Sequence, residues 1–248
     1  MRKMFFSVLV VVLCTQLASA DYANPPDWQN DPLTQNFTHQ SWSFTNQQAN
    51  PMVPDDGGDG NLYGDPEFNM TAANSTWLDD LGMVYDLYTQ TPLGQRQGGW
   101  RVDGPSGTPG SVREEWFTID IPNIERDLIK EVWIELTFLV TDLTHANTIV
   151  NDVDLQVYAD DNKFDYLGST EEPLGASMYG EIWVRSAAMF SYFPQPGSEK
   201  VVLTGWMLDG QHVILDQIDI DTRCVPEPTA MGLLGIGTIA LIRRRKNH

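Results

Sequence analysis

Two pairs of adjacent acids, Glu114-Glu115 and Glu171-Glu172, and two acidic stretches, residues 55–61 (DDGGDGN) and residues 151–154 (NDVD), are the parts of this chain whose types and spacing bear on chemistry. Paired carboxylates are what glycoside hydrolysis needs, but neighbours on a strand face opposite sides, so neither pair is a dyad by itself and solvated loop or edge charges are the plainer reading. Asp152 and Asp154 differ: two apart at the start of a strand, they project to the same side and repel each other unless a cation intervenes. Calcium is the metal to expect, because hard oxygen ligands abound while His and Cys pairs are lacking. The 55–61 stretch has the composition of a turn and fails the EF-hand template, with Gly57 at the third position and Pro66 at the twelfth.

Aromatic residues are the second resource. Eight tryptophans are many for a chain of this size, and an exposed indole offers a flat apolar surface on which a sugar ring can stack, although tryptophans on strands more often pack a core. Trp116 and Trp133 lie opposite the more apolar stripe of their strands and Trp100 sits in a glycine-rich loop, so these three are the candidates for an outward platform. Catalytic constellations are poor. His39, His145, His212 and His248 are scattered, no Gly-x-Ser-x-Gly elbow occurs, and no glycine-rich loop carries the lysine of a phosphate cradle. Beyond calcium no cofactor is expected.

The elements that must position these residues are strands. Residues 115–121 alternate Phe117, Ile119 and Ile121 against Trp116, Thr118 and Asp120, and residues 132–141 repeat the pattern with Val132, Ile134, Leu136, Phe138 and Val140. Residues 83–89, 153–159, 181–193, 200–208 and 212–221 add further strands, and residues 40–45 a short one with Trp42 and Phe44 on one face. Only residues 123–130 offer a turn or two of helix. Without crossover helices, the economical burial is two packed antiparallel sheets, so the expected fold is an all-β sandwich of jelly-roll type. In residues 213–221 the apolar phase shifts from Val213 and Leu215 to Ile218 and Ile220, which predicts a bulge near Asp216-Gln217. This final strand is weakly similar to the closing strand of galactose-binding-like jelly rolls. The expected organisation is a signal peptide over residues 1–20, a polar, loop-rich segment over 21–66, the sandwich over 67–224 and a sorting segment over 225–248.

The two ends carry addresses. Arg2 and Lys3 precede the apolar run of residues 4–13, and Ala18-Ser19-Ala20 supplies small residues for cleavage after Ala20, the pattern of a secretory signal helix. At the other end stand Val225-Pro226-Glu227-Pro228, an apolar stretch over residues 230–242, and Arg243-Arg244-Arg245-Lys246. Thirteen residues of helix span about 20 Å against a hydrocarbon core of about 30 Å, short for a lasting anchor. This arrangement resembles the PEP-CTERM sorting signal of Gram-negative envelope and biofilm proteins. The resemblance implies a C-terminal transmembrane helix, export across the inner membrane, handling by an exosortase-type membrane transpeptidase with processing near the motif, and exopolysaccharide surroundings at the cell surface or outside it. Residues 21–224 hold nine basic and 33 acidic side chains, a net charge of −24, which repels phosphate backbones and excludes nucleic acid as a partner. Cys224 is the one cysteine left after signal removal, so no intramolecular disulfide can form. The expected role is therefore a non-enzymatic binding or structural one, with extracellular polysaccharide as the ligand class. The alternative is a secreted polysaccharide-active enzyme whose two carboxylates meet in a groove of the sandwich.

Overall fold

A computed structural model describes residues 27–48, 52–55, 61, 63–104, 112–140, 154–207 and 211–226. Among these residues there are twelve strands and no α-helix: β1 (Gln35–Trp42), β2 (Glu67–Met70), β3 (Ser75–Tyr85), β4 (Pro92–Asp103), β5 (Val112–Pro122), β6 (Ile129–Val140), β7 (Leu155–Ala159), β8 (Asn162–Lys163), β9 (Asp165–Ala176), β10 (Ile182–Tyr192), β11 (Ser198–Met207) and β12 (His212–Val225). The expected signal helix and C-terminal membrane helix lie outside the described residues; within them no helix is long and apolar enough to cross a membrane.

The strands form two antiparallel sheets. In the first, β12 is the hub. β6 follows one of its edges from Ile214↔Leu139 to Val225↔Ile129, while β4 and β1 share the other end to end, β4 pairing from His212 to Leu215 and β1 from Ile218 to Cys224. β10 and β9 continue beyond β6, and β3 pairs with β4. The second sheet has the order β2-β5-β11-β7-β8.

Period-two alternation explains why these sheets meet. Val132, Ile134, Leu136, Phe138 and Val140 of β6 and Ile218 and Ile220 of β12 pack in one cluster with Phe117, Ile119 and Ile121 of β5 and Val201 and Leu203 of β11, none more than 2% exposed. Each such side chain stabilises the fold by about 1.5–3 kcal/mol relative to an exposed position. The bulge expected in the final strand is present as a register slip between Leu215 and Gln217, which returns Ile218 and Ile220 to the core side.

Two further clusters cover the other face of the first sheet. Leu81 and Val84 of β3 lie on Leu139, Trp183 and Ile214 at one end, and Trp28 lies on Trp133 and Ala187 at the other. Between them a polar strip crosses the strands.

The structure corrects the sequence reading in several places. Residues 123–130 make no helical turn: Arg126 forms an isolated bridge with Gln195 and Ile129 already belongs to β6. The first strand lies earlier than residues 40–45 and ends at Trp42, since Phe44 takes a φ of 52°. It belongs to the main sheet rather than to a separate N-terminal segment.

Candidate functional site

The end of the sandwich where β12 leaves the sheet holds a buried polar network. Lys130, at the start of β6, places its Nζ 3.2 Å from Glu199 Oε1 and donates to Thr222 Oγ1 at 2.8 Å. Thr222 meets Thr38 of β1 at 2.7 Å. The Asn123 amide donates to Glu199, Gln195 Nε2 donates to Asn123 Oδ1 at 2.6 Å, and the Cys224 thiol donates to Gln195 Oε1 at 2.9 Å. Burial pushes the Glu199 carboxyl up, against the pull of Lys130 and Asn123. Arg223 continues the lock on the other face: it binds Glu131 at 2.6 Å and Asp31 at 2.5 Å and lies over the Trp28 ring, 4.7 Å from its centroid. Cys224 is 0% exposed, so the lone thiol does not reach a second chain.

Around this network the connections 123–128, 160–161 and 193–197 enclose an open cleft of about 490 Å³. Its lining includes Arg126, Asp127, Asp160, Asn162, Tyr192 and Gln195. The Tyr192 ring is stacked on Phe164, centroids 4.9 Å apart and 18° from parallel, which fixes its plane. Arg126 Nη2 donates to the Tyr63 hydroxyl at 3.2 Å. A fixed ring face, proline surfaces, carboxylates, amides and a guanidinium in one concavity suit a ligand that is itself both polyhydroxylated and partly apolar.

The polar strip on the outer face of the first sheet is the other concentration of charge. Glu135 of β6 stands opposite Asp219 of β12 in register. Arg185 Nε lies 3.1 Å from Glu135, Gln217 donates to Asp219 at 2.8 Å, and His39 Nδ1 lies 2.6 Å from Asp221. Burial, and then the neighbouring Asp219, Asp221 and Glu172, push the Glu135 carboxyl up against the pull of Arg185, and burial raises Asp219. At the edge of the strip Asp216, in the bulge, pairs with Arg96, and burial still drives its carboxyl up to about 6.

A folded pKa above the unfolded one gives a contribution that is complete below the unfolded value of 3.8 and is lost as pH rises through about 6. The protein is therefore expected to melt higher at pH 5 than at pH 7.5. Asp216 alone supplies about 1.4 kcal/mol of that difference, and Asp216→Asn should flatten it; thermal melts across that interval, equal at both ends for the parent protein, would disprove the assignment.

The residues expected to form a platform fare differently. Trp116 is 3% and Trp133 1% exposed. Trp116 occupies the position skipped between the pairs Leu203↔Phe117 and Thr204↔Glu115, and this bulge turns it into the core beside Phe117. Trp133 does point away from the main core, as its strand phase requires, but Trp28 of the N-terminal turn covers it. Trp100 lies on β4 rather than in a loop and is half-buried against the core. The three do not share a surface. Asp152 lies outside the described residues. Asp154 is 5% exposed with its Oδ1 3.3 Å from an Arg113 nitrogen, and among the described residues no group of three His, Cys, Asp or Glu is arranged to hold a metal. Ala18, Ala20, Glu227, Pro228, Arg243, Arg244, Arg245 and Lys246 also lie outside the described residues, while Val225 ends β12 and Pro226 follows it. Sequence reasoning missed the cleft because its lining comes from three separate connections; the Pro194-Gln195-Pro196-Gly197 run is the signal that marks one of them.

Comparison with known proteins bears on the exit strand. Residues 225–246 match the PEP-CTERM protein-sorting motif, which marks an exported protein for an exosortase-type membrane enzyme. No curated protein matches the chain. Among solved structures, dimeric latent PorU from Porphyromonas gingivalis aligns with 61% of this chain at 11% identity and a TM-score of 0.28, the chain spanning only 13% of PorU. The infectious bursal disease virus Gx strain structure aligns with 79% of this chain and 61% of its own at 12% identity and a TM-score of 0.12.

Proposed function

We propose that this exported protein, which carries a PEP-CTERM sorting motif for an exosortase-type enzyme, is a non-enzymatic jelly-roll module that binds extracellular polysaccharide through the cleft at its exit end. The strand order β4-β12-β6-β10 facing β5-β11-β7-β8 supports the jelly-roll reading. The observation that carries the ligand class is the cleft itself: the Tyr192 face and the Pro194 and Pro196 surfaces stand among Asp160, Asn162 and Arg126. Planar polar side chains bind pairs of hydroxyls, and a flat ring receives the apolar face of a sugar.

The test is binding of polysaccharide from the native matrix to the protein recovered from its own surface. Tyr192→Ala is expected to weaken it at least tenfold with the fold intact, and binding unchanged in Tyr192→Ala and Asp160→Ala alike would remove the cleft from consideration. A hydrolytic second reading is favoured by one observation, the register pair Glu135 and Asp219. Release of reducing ends in the same incubation, lost in Glu135→Gln, would establish that reading instead.

A further inference from the structure

The matched sorting motif begins at Val225, and Val225 is still inside the sheet, paired with Ile129. The residue before it, Cys224, has Lys130 on one side and Gln35 on the other. The fold therefore runs into the motif without slack. From Val225 to Pro228 the chain can extend at most about 10 Å, no more than the width of one helix with its side chains. An enzyme that closes around Pro226-Glu227-Pro228 must bring its own atoms against the end of this domain.

The domain has little freedom to retreat. Peeling β12 back would break the contacts of Arg223 with Asp31 and Glu131, leave Lys130 without Thr222 and expose the Cys224 side chain. Meanwhile the surface at this end has the character of an interface. Ile124 and Phe193, on the two connections beside the exit, are 41% and 48% exposed, and Leu33 on the N-terminal turn is 47% exposed. The charged side chains of Glu125, Arg126 and Asp127 stand exposed among them. Exposed large apolar groups rimmed by charge are what a protein partner covers.

We propose that this end of the sandwich, centred on Ile124 and Phe193, is the surface on which the motif-processing membrane enzyme docks, so that processing reads the folded domain as well as the motif. The partner's matching face would offer an apolar hollow for these two side chains and basic groups for Glu125 and Asp127. The proposal rests on the sorting match and not on the glycan reading of the cleft.

The experiment follows processing of the full chain in cells that carry the enzyme, by intact mass over time. Ile124→Asp/Phe193→Asp is expected to slow processing about tenfold or more. The same pair is combined with a spacer of about ten Gly and Ser residues inserted between Val225 and Pro226, which frees the enzyme from abutting the domain. With the spacer present, the double substitution should make no difference. Processing of the unspaced double variant at the parent rate overturns the proposal, and so does an equal slowing with and without the spacer, which would place the defect in folding or export. Absence of processing in every chain, the parent included, would instead remove the sorting reading on which the proposal stands.

Discussion

Replacing Lys130 with methionine is expected to cost about 3–5 kcal/mol, the range seen when one partner of a buried ion pair is removed. Lys130 and Glu199 have side chains 3% and 0% exposed. The methionine fills the space, but the Glu199 carboxylate keeps the Asn123 amide as its donor and faces a core that cannot hydrate it. The loss should be larger at pH 8 than at pH 5, because burial already raises the Glu199 pKa and a protonated carboxyl tolerates the site better. Adding Glu199→Leu to Lys130→Met should recover much of the stability, since an apolar pair of similar volume replaces an ion pair at little cost. Urea denaturation of the parent and the two variants at both pH values reads this directly. A single variant within about 1 kcal/mol of the parent would show that the pair is not sealed from water.

The second large effect lies on β11. A Cβ on Gly205 would sit 1.9 Å from Trp116 Cζ2 and 2.1 Å from its Cε2. Real atoms do not approach so closely, so the indole, itself 3% exposed, must leave its site. Gly205→Ala is expected to cost about 3 kcal/mol, the upper range for overpacking a core. Trp116→Leu in the same chain should restore part of it, because a smaller side chain opens the space. Additive losses in the two single variants and the double variant would show that the residues do not share this contact.

What the sequence disclosed, and what it withheld, follows from how local each signal is. Alternation over Phe117, Ile119 and Ile121 and over Val132 to Val140 reports burial of one strand face, and those side chains do form the core. The phase shift between Leu215 and Ile218 is equally local, and it marked the bulge. β4 and β9 escaped notice because their sequences read as breakers: Gly94, Gly98 and Gly99 interrupt one, and Gly168, Pro173 and Gly175 the other. Gly98 is glycine for a physical reason, with a φ of 74° and a Cβ position only 1.9 Å from the Phe44 carbonyl oxygen. The tryptophans illustrate the other limit. Their strand phase says which face Trp133 occupies, but not that Trp28, about a hundred residues earlier, returns to cover that face. For the same reason the cleft, the Glu135 and Asp219 pair and the Lys130 network are tertiary facts, each assembled from strands far apart in the chain.

The lock on β12 also sets a direction for the molecule. A chain held at Val225 would have its sandwich gripped by one end, with the strands rising from the point of attachment. At about 3.3 Å per residue the fourteen residues of β12 reach about 45 Å. The far end, where Met178 and Tyr179 are exposed on the β9 to β10 turn, would then stand about 45 Å above the base. The cleft lies at the opposite end, beside Val225, so on the reading proposed above its ligand would be the layer to which the protein is fixed.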